Sequence, residues 1–358
     1  MFQWIMNDTY TDSSSTMSFG GSGGTSSFGV NSTGGNSTAG GPSGATAGNS
    51  SQSMGGGGGG GVLGSGTTVT PSFANYAGAS DVCLVFLNAF SGEGADRGEL
   101  YNADQDTLVN TIASNCNNTI VVINTNGPRL VEKWIEHDNV TALLYGGYLG
   151  QESGNAIVDV LYGDVNPSGK LINTIAKDED NYPVKICETT VCNYTEGVHI
   201  DYRYFDANNI SVRYPFGHGL SYTTFQYGNV SAQKSDEQAL SSKYPTGGLT
   251  LGGNADLFDE VISVSVTVAN TGDVDGAEVA QLYVAYPDAA QQPVRQLRGF
   301  EKVQIQHGSS SQVKFSVRRR DVSYWDTEAQ QWAIANGQYT FSVGSSSRDL
   351  RGSATITV

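Results

Sequence analysis

The sequence predicts an α/β sandwich, a mostly parallel sheet with flanking helices, followed by an all-β sandwich, with a disordered Gly/Ser-rich segment in front. Three observations carry this. Apolar β-branched runs alternate with helix-period patterns from about Val69 to residue 180, which is how a parallel sheet with crossover helices reads. Beyond Tyr222 the pattern changes to strict apolar/polar alternation between turn signals, the pattern of antiparallel strands with one buried face. From Ser13 to Ser80 there is no charged side chain, and Gly55 to Gly61 runs without interruption; such a stretch cannot bury enough apolar surface to offset its chain entropy. The division that follows is 1–68 as linker, 69–180 as the α/β unit, 181–221 as a connecting segment and 222–358 as the β-sandwich.

Within the α/β unit, Asp81-Val82-Cys83-Leu84-Val85-Phe86-Leu87 is short enough for one buried strand. Leu108, Val109 and Ile112 then mark an apolar helix face. Thr119 to Ile123 is the second strand, and Gly127-Pro128 starts a helix with Leu130, Val131, Trp134 and Ile135 on one side. Asn139 to Leu144 is the third strand; from about Gln151 a helix turns Ala156, Ile157, Val160 and Leu161 to the core, with Gly163 past its end. Gly169 to Ile175 closes as a further strand. In the last unit, strands are expected over 261–268, 278–284, 312–317 and 337–343, without helices between them.

Ser91-Gly92-Glu93-Gly94-Ala95-Asp96-Arg97 directly follows the first strand. Loops at the carboxyl ends of parallel strands form the ligand crevice of α/β folds, so Glu93, an acid between two glycines, is the first candidate for a catalytic group. Asp96 and Arg97 either shape a pocket rim or hold the Glu93 loop by an ion pair. The spacing of Gly92, Gly94 and Gly98 also resembles a dinucleotide-binding turn, but Glu93 would put a negative charge where a pyrophosphate sits. The second strand moreover ends in Asn124-Thr125-Asn126, with no acid for a ribose hydroxyl. Glu152 opens a helix, where its charge favours the positive dipole end.

A formal net charge of −16 and a pI near 4.5 argue against nucleic-acid or anionic-membrane partners. No stretch approaches the roughly 20 apolar residues of a membrane span. Sequons stand at Asn7, Asn31, Asn36 and Asn49, and in the folded part at Asn117, Asn139, Asn193, Asn209 and Asn229. With the acidic, lysine-poor composition they point to a secreted eukaryotic glycoprotein, whose natural N-terminus is expected upstream of Met1. Cys187 and Cys192 flank four residues and suit a disulfide-closed loop. Cys83 reads by default as a buried free thiol, a bridge to Cys116 being the alternative. His137, His199, His218 and His307 show no ligand spacing, so neither metal nor cofactor is expected. Tyr324, Trp325 and Trp332 fall in the β-sandwich, where core packing is expected and sugar binding is the alternative.

Four segments together carry a family resemblance: Ser91 to Arg97, Gly150-Gln151-Glu152-Ser153-Gly154-Asn155-Ala156, Asp159 to Leu171, and Tyr214 to Tyr222. They resemble the C-terminal half of glycoside hydrolase family 3 β-glucosidases of the fungal secreted type. Asn270-Thr271-Gly272, Gln281 to Val284 and Leu297 to Val303 are similar to that family's fibronectin type III-like domain. The resemblance implies a retaining hydrolysis of terminal β-glucosyl residues in cellobiose and other β-glucosides or cello-oligosaccharides. Glu93 matches the general acid/base, and the aspartate nucleophile comes from a (β/α)8 barrel domain that this chain does not contain. It also places Tyr145 and Tyr148 where relatives commonly carry Trp and Leu, so that Tyr148, with Asp96 and Arg97, is a candidate substrate contact, against a packing role. Without the barrel this chain alone is expected to be inactive, and a non-catalytic secreted carbohydrate-binding or wall-associated protein is the competing expectation.

Overall fold

The computed structural model describes residues 73–89, 97–147, 149–187 and 189–358. A short helix α1 (Phe73–Gly78) leads into strand β1 (Cys83–Asn88). Helix α2 (Ala103–Ala113) follows, its Asn102 side chain capping the Gln105 N–H and its first turn carrying Asp104 and Asp106, the charge sign that a helix N-terminus favours. Strands β2 (Thr119–Asn124) and β3 (Val140–Gly146) complete a three-stranded parallel sheet of order β1-β2-β3. Helix α3 (Ser153–Leu161) ends before Gly163, whose φ of +82° is the left-handed conformation that glycine adopts without strain.

The sheet is covered on both faces, which is why its strands read as continuous apolar runs. On one side Val85, Leu87, Val121 and Ile123 meet Leu108, Val109 and Ile112 of α2 together with Leu130, Val131 and Trp134. On the other, Phe86 and Val122 meet Ile157 and Val160 of α3.

Two of the expected elements are different. After Pro128 the chain makes turns rather than a helix: the Trp134 and Ile135 N–H groups both donate to the Val131 carbonyl, and no regular helix continues. Burial of the charged Arg129 beside the apolar side chains takes the place of a one-sided apolar stripe. Gly169 to Ile175 is not a strand of the parallel sheet. Only β4 (Ile175–Ala176) is extended in a ladder, antiparallel to β5 (Val212–Tyr214), because Leu171 N and O are taken by the backbone of His218 and Gly217. Between them lies α4 (Tyr202–Ala207), opened by the Asp201 side chain, which also receives the N–H and hydroxyl of Thr174.

The β-sandwich packs two antiparallel sheets. One contains β6 (Phe225–Tyr227), β7 (Ser231–Lys234), β10 (Glu260–Asn270) and β13 (Ser310–Arg318); the other runs β12 (Gln296–Ile305), β11 (Gly276–Ala285), β16 (Gln338–Ser346), β17 (Asp349–Thr357). Two small hairpins, β8 (Leu249–Thr250) with β9 (Gly253–Asn254) and β14 (Ser323–Asp326) with β15 (Gln331–Ile334), lie outside the sheets. Alternate residues Val264, Val266 and Val268 of β10 face Leu282 and Val284 of β11 and Phe341 and Val343 of β16, the interdigitated core that period-2 patterning implies. A short helix α5 (Glu237–Leu240) interrupts the expected all-strand run and plugs Leu240 into that core.

Trp325 departs from the packing expectation. It stands 44% exposed on the β14–β15 hairpin, which lies outside the two sheets, opposite the half-buried Trp332. Cys83 is likewise not a free thiol. It is joined to Cys116, with Cα atoms 6.4 Å apart, and Cys187 is joined to Cys192.

Candidate active-site edge of the parallel sheet

The carboxyl ends of the three parallel strands lie side by side: Asn88, Asn124 and Gly146 are register neighbours. The Ala89 N–H continues the ladder to the Asn124 carbonyl at 3.0 Å, and the Thr125 N–H reaches the Gly146 carbonyl at 3.2 Å. From this edge the chain enters the segment that carries Glu93 and Asp96, which, like Tyr148, lies outside the described residues. What is described is how both stems of that segment are held.

At the entering stem, the Gln105 side-chain amide donates to the Asn88 carbonyl at 2.9 Å. Gln105 is 3% exposed on the first turn of α2, next to Asp106. Asp106 in turn accepts from the Arg129 guanidinium and from the Trp134 indole N–H through one carboxylate oxygen, both at 2.9 Å. Arg129 also donates to the Leu130 carbonyl and reaches toward Gln105 Oε1 and the Asn102 carbonyl at 3.4 Å. All are buried. A buried ion pair is costly unless its remaining donors and acceptors are met; here the indole and two backbone carbonyls meet most of them, and Arg129 Nε is left without a partner among the described residues.

At the returning stem, Arg97 donates from Nη1 to the Pro128 carbonyl at 2.9 Å. A Cβ on Gly127 would lie 3.2 Å from the other Arg97 nitrogen, so glycine makes room for the guanidinium. Tyr145 closes the same corner. It lies at the end of β3 rather than in the following loop, 8% exposed; its hydroxyl donates to the Gly127 carbonyl at 3.0 Å and accepts the Arg129 N–H at 2.6 Å. Burial pushes its phenol well above the ordinary tyrosine range, so it remains a neutral hydrogen-bonding strut. Farther out, the Leu100 N–H donates to the Glu179 carboxylate at 3.1 Å and the Leu130 N–H to the Leu100 carbonyl at 2.7 Å.

The described residues thus fix both ends of the segment that carries Glu93 and Asp96, Asn88 through Gln105 and Arg97 through its bond to the Pro128 carbonyl. Sequence reasoning did not find Gln105, Asp106, Arg129 and Trp134. Each looks ordinary alone, an acid in a helix's first turn or an arginine before an apolar run, and only their convergence distinguishes them. No group of three or more potential metal ligands exists among the described residues. None of the described helices is long and apolar enough to cross a membrane. Of the sequons, Asn117, Asn193, Asn209 and Asn229 are exposed, whereas Asn139 is half-buried and its side-chain amide donates to the Ala113 carbonyl at 2.8 Å.

Residues 16–222 match the glycosyl hydrolase family 3 C-terminal domain, and residues 278–347 match a fibronectin type III-like domain. Among curated proteins, the chain is 68% identical over 292 residues to a probable beta-glucosidase D of Aspergillus niger, covering 82% of this chain and 38% of that protein. It is 49% identical over 281 residues to a probable beta-glucosidase M of the same species, covering 76% and 36%. Among solved structures, the Trichoderma reesei beta-D-glucoside glucohydrolase superposes with a TM-score of 0.77 at 44% identity, over 80% of this chain and 41% of that one. A family 3 β-glucosidase from Neurospora crassa superposes with a TM-score of 0.74 at 33% identity, over 79% and 44%. The chain thus spans less than half the length of these relatives.

Proposed function

The chain belongs to glycoside hydrolase family 3, and from that premise we propose that it is the C-terminal part of a secreted retaining β-glucosidase, with Glu93 as general acid/base. Its substrates are the terminal non-reducing β-D-glucosyl residues of cellobiose and other β-glucosides. The observation that carries the reading is the pair of anchored stems, Asn88 held by Gln105 and Arg97 held at Pro128, on either side of the only acid-between-glycines segment at the carboxyl edge of the described sheet.

In this reading the barrel domain of the whole protein supplies the aspartate nucleophile and the floor of the sugar pocket. The Glu93 carboxylic acid protonates the glycosidic oxygen as the nucleophile attacks the anomeric carbon, giving a glycosyl-enzyme. The Glu93 carboxylate then takes a proton from the water that hydrolyses it. Retention requires the two carboxyl groups about 5 to 5.5 Å apart, so placement of the loop is as important as its acid. Arg97 serves as the hinge post of that loop, and Asp96 and Tyr148 are rim contacts to the sugar. Cys83–Cys116 and Cys187–Cys192 accord with an oxidising, extracellular setting.

The test is Glu93→Ala in the full-length protein, assayed on cellobiose and on an aryl glucoside with a strongly activated leaving group. Turnover of cellobiose should fall by about 10²- to 10⁴-fold, the usual contribution of a general acid, with far less loss of the glycosylation rate on the activated substrate. Equal retention of both activities would remove Glu93 from the reaction.

A further inference from the structure

The β14–β15 hairpin carries an aromatic surface that the reading above does not use. Trp325 and Trp332 stand directly opposite each other, ring centroids 5.6 Å apart at 76°. An edge-to-face pair covers at most one face of each indole, and Trp325 is 44% exposed. The Arg320 guanidinium carbon lies 5.1 Å from the Trp332 ring centroid, and Arg320 has no carboxylate within ion-pair distance among the described residues.

The hairpin is held rigidly. Asp326 accepts the N–H groups of Glu328 and Ala329 at 3.1 Å, the Lys243 ammonium at 3.1 Å and the Tyr244 hydroxyl at 3.0 Å, and the bonds from Ala329, Lys243 and Tyr244, in that order, pull its carboxyl down to about 2. The Ile334 N–H ties the second strand to the Lys243 carbonyl, and Ala333 and Ile334 are both buried. Two indoles on a fixed ribbon are pre-organised, so a ligand meets little ordering cost there. An exposed aromatic pair rimmed by polar groups marks a contact surface rather than misplaced core.

We propose that Trp325, Trp332 and Arg320 form a binding site for a neutral β-linked glucan chain. The equatorial hydroxyls of β-linked glucose leave both ring faces lined by C–H bonds, which stack on an indole. The rim of hydroxyls meets the donor fork of Arg320, which lies over the Trp332 ring. Charge selects the neutral ligand. A chain of net charge −16 repels a polyanion at long range, whereas an uncharged glucan meets no such barrier.

The experiment is native affinity electrophoresis of this chain in gels containing mixed-linkage β-glucan, with polygalacturonate gels as the anionic arm, and tryptophan fluorescence titration with cellohexaose. The wild-type chain should be retarded by the glucan and not by polygalacturonate, and cellohexaose should perturb the indole emission. Trp325→Ala should weaken binding roughly tenfold or more, as truncation of a stacking anchor does, with Trp325→Phe intermediate. Failure of the wild-type chain to respond to both glucan and cellohexaose overturns the proposal, as does retardation by polygalacturonate alone, or Trp325→Ala and Arg320→Ala chains that fold and bind like wild type. Because the readout is binding without turnover, these outcomes are independent of Glu93.

Discussion

Asp106 carries the countercharge of the buried Arg129 guanidinium and is the acceptor of the Trp134 indole N–H. Removing one member of a buried pair strands the other charge, so Asp106→Ala should lower stability by about 3 to 5 kcal/mol, read as a fall in denaturant midpoint. The network also leads through Gln105 to the Asn88 carbonyl. The milder Gln105→Leu, in the full-length protein, should therefore lower kcat on cellobiose more than it raises KM, since it loosens the stem of the Glu93 loop. His218 offers a pH test. It lies stacked on Tyr214 at 5.2 Å, and burial, then the nearby Lys170 charge, hold its imidazole below the ordinary range. The folded state resists its protonation, so stability is full above about pH 6.5, where the unfolded imidazole is neutral, and falls as pH drops below it. His218→Gln should flatten the stability profile across that window; an unchanged profile would show that His218 does not set it.

At the scale of elements, the parallel strands, α2, α3 and the long sandwich strands were legible because their apolar periods are unbroken. The unbroken runs Val85-Phe86-Leu87 and Val121-Val122-Ile123 announce a sheet buried on both faces, and Val264, Val266 and Val268 a sheet buried on one. Residues 128–136 and 169–174 misled because tertiary bonds decide them. Arg129 is drawn inward by Asp106, and Leu171 pairs with the 217–218 turn rather than a sheet strand. Glu93 could be singled out from its two glycines and its place after β1, whereas the stem network could not, since it unites residues 17 to 28 apart in sequence. The 217–218 turn makes its own prediction. Gly217 has φ +81°, and a Cβ there would collide with the Gln281 side chain, whose amide donates to the Gly217 and Ser345 carbonyls. Gly217→Ala should destabilise by about 1 to 3 kcal/mol. Combined with Gln281→Ala, which removes the colliding group, it should give less than the sum of the two changes.

Across the whole molecule, the α/β unit and the sandwich share one set of contacts. Tyr202 meets Tyr283 edge-to-face at 6.0 Å and accepts the Leu297 N–H at 2.8 Å. Asp206 takes Arg348 at 2.8 Å with Arg295 at 3.6 Å, and Asn166 bridges Ser221, Tyr222 and the Asp275 carbonyl. Held together by these ion pairs, hydrogen bonds and the Tyr202–Tyr283 contact, the chain should melt in one transition by both far- and near-ultraviolet circular dichroism; two separated transitions would show independent units. The Cys83–Cys116 bridge closes a loop of sequence separation 33, for which loop-closure entropy gives about 3 to 4 kcal/mol, and paired Cys→Ser replacement should lower the midpoint accordingly.

The most direct measurement on the central claim is capture of the glycosyl-enzyme by azide in the full-length Glu93→Ala protein, with an activated β-glucoside as donor and the product's anomeric configuration read by proton nuclear magnetic resonance. If Glu93 is the acid/base, azide needs no deprotonation and restores turnover, and the product is β-glucosyl azide. Turnover that azide leaves unchanged, or an α-configured product, would contradict the assignment of Glu93 and the retaining mechanism built on it.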